Sequence, residues 1–151
     1  SLETIADSYG LELNHIKAHG ALYNQMIIDA ELSNFYLDTI KDFKNKCSLC
    51  IPYKSEIEKI ALKKGFSIIY EVFGDRNYND DLSLVSRNNE NALITDPESV
   101  VNHIKTMKET ETVKTINGNF KKIKFDTICI HSDTNNSIEL LKKINQEFGE
   151  S

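Results

Sequence analysis

The chain has 151 residues, 40% apolar and 27% charged, with a net charge of −5, which suits one soluble domain, 1–151, with a real core. No lysine/arginine cluster is interleaved with aromatics and the net charge is negative, so a nucleic-acid partner is disfavoured. No apolar run approaches the roughly 20 residues of a membrane helix and no basic-then-apolar leader is present, so the simplest reading is a cytoplasmic protein with no membrane partner, although the chain starts at Ser1 and a removed leader stays open.

Leu2, Ile5, Ala6 and Tyr9 recur at helical spacing and predict an opening helix that stops at Gly10. Residues 11–17 read as a short strand. The helical region after it carries a stripe of Leu32, Phe35, Tyr36, Ile40 and Phe43, and Asp29 divides it into a short turn and a longer helix. Cys47 and Cys50 form a C-x-x-C, but Cys50 lies inside the apolar segment 49–51, and a zinc site needs two further ligands at matching spacing. With Cys129 the cysteines are odd in number and sparse, which argues against a disulfide framework and for buried strand cysteine. Ser55 and Glu58 form a capping box before Ile57, Ile60 and Ala61, and Gly65 ends that helix.

Residues 66–73 read as a buried strand, followed by a polar stretch over 74–91 that is too long for a plain connector. Asp96 as N-cap and Pro97 at the first helical position open a helix whose face carries Val100, Val101, Ile104 and Met107. Asn117-Gly118 has the chemistry of a hairpin turn centred in 114–124. Residues 126–131 are the last strand, and Asn136 with Glu139 caps a final helix with Ile138, Leu141, Ile144 and Phe148 on one stripe. A helix followed by roughly four βα units predicts an α/β fold with a parallel sheet, either open and doubly wound or part of a barrel. Neither G-x-G-x-x-G nor G-x-x-x-x-G-K-[ST] occurs, and about four βα units are only half of a closed barrel.

Polar chemistry gathers at three strand ends: Lys17, His19 and Asn24; Glu71, Asp75, Arg76, Tyr78, Asn79 and Asp80; and His131 with Asp133. Parallel α/β folds place their sites there, which suggests one shared site. Each residue also has a structural reading. His19 could cap the helix beginning near Gly20, Glu71 or Asp75 could pair with Arg76, and residues 78–81 are ordinary turn formers. His131 and Asp133, two apart at a strand end, point to the same side as a cooperating pair would. His15 and His103 have no such setting and are expected at the surface.

Lys17-Ala18-His19-Gly20-Ala21-Leu22-Tyr23-Asn24, Glu71-Val72-Phe73-Gly74-Asp75-Arg76-Asn77-Tyr78-Asn79-Asp80-Asp81 and Cys129-Ile130-His131-Ser132-Asp133-Thr134, in this order, resemble the signature blocks of the LamB/YcsF family. Ala92-Leu93-Ile94-Thr95-Asp96-Pro97 matches a fourth block. The resemblance spans this chain but only the C-terminal portion of the family's length. Ala18, Leu82, Ser86 and Ser132 stand where the family usually has proline, glycine, proline and glycine, and Asn135-Asn136 where it has Pro-Gly.

The resemblance implies parallel βα units forming part of a β/α barrel, of the seven-stranded type seen in glycoside hydrolases and deacetylases, incomplete in this chain. It also implies opening of the 5-oxoproline lactam to glutamate with ATP hydrolysis, the nucleotide being bound by a full complex with other 5-oxoprolinase subunits, while this chain alone is expected to be inactive. Such chemistry needs a base, a proton donor and cations. Asp133 or Glu71 is then the base and His19 or His131 the acid, with Lys17 and Arg76 stabilising charge and Asp75 in the same catalytic group. Asn24, Tyr78, Asn79 and Asp80 are expected to touch substrate. A sugar or small-acid binding module is the competing class, yet only Tyr23, Tyr70 and Tyr78 offer aromatic platforms and tryptophan is absent. A metal-dependent deacetylase with His19, His131 and Asp133 as ligands is the other enzyme reading, and the metal stays unknown. Open sheet edges predict self-association.

Overall fold

A computed structural model describes residues 2–131 and 137–149, in two compact units, Ser1–Tyr70 and Glu71–Ser151. The first unit opens with helix α1 (Leu2–Ser8), strand β1 (His15–Lys17), and helices α2 (Gly20–Gln25) and α3 (Ala30–Thr39). Asp29 divides the two helices as predicted, its carboxylate accepting the Leu32 N–H at 2.9 Å. The buried face of α3 differs from the predicted stripe. Ser33 and Leu37 are inside while Phe35 is 70% exposed, and the buried Ser33 hydroxyl donates to the Asp29 carbonyl at 2.6 Å with the Met26 carbonyl, at 3.0 Å, as the alternative acceptor.

Strand β2 (Ser48–Ile51) and helix α4 (Glu56–Lys64) follow. The Ser55 Oγ accepts the Glu58 N–H at 3.2 Å. The return arm of the box shifts by one residue, for Glu58 accepts the N–H of Lys54, and its other oxygen takes the Tyr70 hydroxyl at 2.6 Å. Gly65 closes α4 at φ 73°, a left-handed conformation that costs glycine nothing. In this unit β1 pairs parallel with β2, and β2 with the first half of β3 (Ile68–Phe73). Leu37, Leu49, Ile51, Ile57 and Ala61 form its core. Cys50 is buried and Cys47 half-buried.

The second unit continues from the rest of β3 into helix α5 (Pro97–Thr110), the antiparallel hairpin of β4 (Thr112–Lys114) and β5 (Phe120–Lys122), strand β6 (Thr127–Cys129) and helix α6 (Ser137–Phe148). Here β3 pairs parallel with β6, with Glu71 opposite Thr127, Val72 opposite Ile128 and Phe73 opposite Cys129. The Asp96 carboxylate caps α5 through the Ser99 N–H at 2.8 Å, and Val100, Val101, Ile104 and Met107 are buried as the spacing predicts. The α6 stripe is a correction. Leu140 is buried, whereas Ile138 and Leu141 are 71% and 52% exposed, since α6 meets α5 along a face turned from the predicted one.

The stretch after β3 is a folded loop. Ile94 N–H donates to the Asp75 carbonyl, Asn77 N–H to Ala92 and Val85 N–H to Asn77, and Leu82 sits at φ 68°. Among the described residues no helix is long and apolar enough to cross a membrane.

Candidate functional site

The second unit places its chemistry where β3 and β6 end. Gly74 follows β3 with its N–H on the Cys129 carbonyl at 3.0 Å. A Cβ there would lie 2.8 Å from the terminal carbons of both Ile104 and Ile130, so any larger residue would have to push those side-chain ends aside. The next residue, Asp75, is fully buried. Its carboxylate accepts the backbone N–H of His131 at 2.9 Å and meets the His131 Nδ1 at 3.0 Å. An ionised carboxylate only accepts, so Nδ1 carries the proton and Nε2 is the nitrogen turned away from Asp75. The His131 side chain is 25% exposed, and its ring stacks on Phe73 with centroids 5.4 Å apart and planes 15° from parallel. A buried carboxylate thus orients a partly accessible imidazole, the arrangement of a general acid/base. Glu71 is buried on the face of β3 that it shares with Phe73.

Arg76, expected as a charge stabiliser, is 4% exposed. Its Nη2 donates to the Val85 carbonyl at 2.7 Å and its Nε to Ala92 at 3.3 Å, so the guanidinium folds the long loop back on itself. Tyr78, Asn79 and Asp80, expected to touch substrate, each make hydrogen bonds within the loop and hairpin. The Tyr78 hydroxyl accepts the Phe73 N–H at 2.8 Å, and burial holds its phenol well above the usual range, with the Glu71 charge adding to the shift. Asn79 donates to Ser83 Oγ at 3.0 Å. Asp80 accepts from Thr115, Asn117 and Asn119 at 2.5, 3.1 and 3.0 Å and so ties down the β4–β5 hairpin; these bonds keep its carboxyl below the ordinary carboxylate range.

His103, expected at the surface, is half-buried. Its ring stacks on Tyr78 with centroids 6.2 Å apart, and burial lowers its pKa to about 4, against smaller raising effects of a hydrogen bond to the Arg76 backbone and of the Asp75 charge. The Nε2 is shut off from solvent with no hydrogen-bond partner among the described residues. His103 lies three residues after Val100, one helical turn along the buried face, and that spacing was the available signal.

Lys17, His19 and Asn24 belong to the first unit. The Lys17 ammonium lies 5.8 Å from the centre of the Tyr23 ring. His19 is exposed at the N-cap of α2, where its side chain makes no cap bond, and Asn24 is exposed on the same helix. Asp133, predicted to work with His131, lies outside the described residues. Among the described residues no three His, Cys, Asp or Glu side chains come together as a metal-binding group.

A family profile described as LamB/YcsF matches residues 1–151. The chain belongs to the LamB/YcsF family. It is 36% identical over 152 residues to the 5-oxoprolinase A subunit of Pyrococcus abyssi, covering 99% of this chain and 60% of that protein. With the 5-oxoprolinase A subunit of Campylobacter jejuni it shares 38% identity over 143 residues, 95% of this chain and 56% of the relative. The crystal structure of the lactam utilization protein from Thermus thermophilus matches with a TM-score of 0.85 at 27% identity, over 98% of this chain and 60% of that one. This LamB/YcsF chain therefore spans about 60% of the length of those relatives, and its parallel βα units agree with the expected incomplete β/α barrel.

Proposed function

We propose that the chain is the larger part of the A subunit of an ATP-dependent 5-oxoprolinase, a cytoplasmic enzyme that opens 5-oxoproline to glutamate together with partner subunits. The relatives' names support the substrate, and the observation that carries the chemistry is the buried Asp75 carboxylate on Nδ1 of a partly accessible His131. Amide resonance makes a lactam slow to hydrolyse, and ATP, when bound by the complete assembly, would supply activation by phosphorylating the lactam oxygen, the phosphoryl group leaving as inorganic phosphate with a second water. The described residues do not make a phosphate cradle: Arg76 is spent on loop carbonyls and the chain has no glycine-rich phosphate run. We assign the nucleotide to the complete assembly.

Ring opening adds water to the carbonyl carbon, breaks the C–N bond and puts a proton on the departing nitrogen. His131 Nε2 takes the proton from water and returns it to that nitrogen, while Asp75 keeps Nδ1–H in place and balances the imidazolium that forms. Glu71 is the second buried carboxylate beside this path. The test is to supply the full-length protein with its partner subunits, 5-oxoproline and ATP and to measure glutamate. Glutamate formation that requires every component supports the reading; tight 5-oxoproline binding without turnover would replace it with a binding module.

A further inference from the structure

Asn117-Gly118 is the one Asn-Gly step in the chain, and no step of lactam opening by His131 and Asp75 uses it. Both residues are exposed at the tip of the β4–β5 hairpin, with Gly118 at φ 83°. With no Cβ on the residue that follows, its backbone nitrogen can reach the asparagine side-chain carbonyl carbon and displace the amide as ammonia. Here both reacting groups are held. The Gly118 N–H donates to the Thr115 carbonyl at 2.8 Å. The Asn117 Nδ2 donates to Asp80 Oδ2 at 3.1 Å, and the same carboxylate accepts from Asn119 at 3.0 Å and Thr115 at 2.5 Å. Its charge also opposes the negative charge that the attack would build on the Asn117 oxygen. The hairpin is tied in turn to the end of β3, for the Ile116 N–H donates to the Tyr78 carbonyl at 2.8 Å and Tyr78 Oη accepts the Phe73 N–H.

We propose that Asn117 is a deamidation site guarded by Asp80, and that its conversion releases the hairpin irreversibly. When the hairpin opens, the Gly118 nitrogen bonds to the Asn117 side-chain carbonyl carbon and gives up its proton. The bond from that carbon to the amide nitrogen breaks, and the nitrogen leaves with the proton as ammonia. Water then opens the five-membered imide at either carbonyl, which returns a proton to the Gly118 nitrogen and leaves aspartate or isoaspartate. The net change converts one amide and one water into a carboxylate and ammonium; nothing is oxidised or reduced, and water is the only co-reactant. A carboxylate at position 117 has no N–H to offer Asp80 and repels its charge. The latch that slows the reaction therefore cannot re-form after it. None of these steps involves the lactam chemistry.

The measurement is the rate at which Asn117 becomes aspartate and isoaspartate in the intact chain at mildly alkaline pH, read by peptide mass spectrometry. Folded wild type should convert at least about tenfold more slowly than the same chain unfolded in urea, and folded Asp80→Ala should recover most of that difference. Equal rates in folded and unfolded wild type overturn the proposal, as does a folded Asp80→Ala that converts as slowly as wild type. Absence of conversion even in urea removes the site altogether. Asn117→Asp, which places the carboxylate directly, tests the release and decides the matter should Asp80→Ala fail to fold. Its amide exchange over residues 112–122 should be faster than wild type by about tenfold, with the amides of Val100, Val101 and Ile104 unchanged. Hairpin exchange equal to wild type in Asn117→Asp overturns the proposal.

Discussion

Acidification should weaken the fold through His103 in a way that one substitution isolates. The folded chain resists protonation of this ring until about pH 4, whereas the unfolded chain accepts the proton near the ordinary histidine value of 6.5. A base whose pKa is lowered by folding binds its proton more readily when unfolded, so stability falls as pH drops below about 6.5 and the loss is complete below about 4. The gap of roughly 2.5 units corresponds to about 3 kcal/mol at 1.36 kcal/mol per unit. His103→Asn has no group to titrate, while the carboxylates that also respond to acid are shared by both proteins. Urea unfolding between pH 7 and about pH 4 should show wild type losing about 3 kcal/mol more than His103→Asn. Parallel losses would refute the burial argument, for they would mean that the ring titrates as it does in the unfolded chain.

Three further perturbations read the scaffold. Gly74→Ala puts a methyl 2.8 Å from the ends of Ile104 and Ile130, and this overpacking should cost about 1–3 kcal/mol in urea unfolding. Asp80→Ala removes the acceptor of three hairpin side chains and should lower the urea midpoint, with faster amide exchange concentrated in residues 112–122. Lys54, exposed at φ 60°, holds a conformation that disfavours side chains, so Lys54→Gly should stabilise by about 1 kcal/mol or leave the midpoint unchanged, and a clear loss would speak against strain there.

Features with local causes were legible in the sequence. The caps at Asp29, Ser55 and Asp96, the stop at Gly65 and the Asn117-Gly118 hairpin each depend on residues within a few positions of one another, and the structure carries them all. Face assignment was harder where apolar residues fit two faces. In α6, Ile138, Leu140, Leu141 and Ile144 allow either phase, and packing on α5 selects Leu140. Strands came out shorter than their apolar runs because pairing, not hydropathy, sets their ends, as in β1. The Asp75 and His131 pairing joins residues 56 positions apart, and only the strand register brings them together. The loop residues were opaque for a different reason: the partners of Tyr78, Asn79 and Asp80 become visible only once the loop and hairpin are folded.

If Asp75 and His131 act as one acid/base unit in the proposed 5-oxoprolinase, turnover of 5-oxoproline by the full-length protein, supplied with the proposed partner subunits and ATP, depends on both residues. His131→Ala should lower kcat by roughly a hundredfold or more, and Asp75→Asn should lower it by a comparable factor, with both proteins folded by circular dichroism. Folded variants that release glutamate at near wild-type rates would remove Asp75 and His131 from the chemistry.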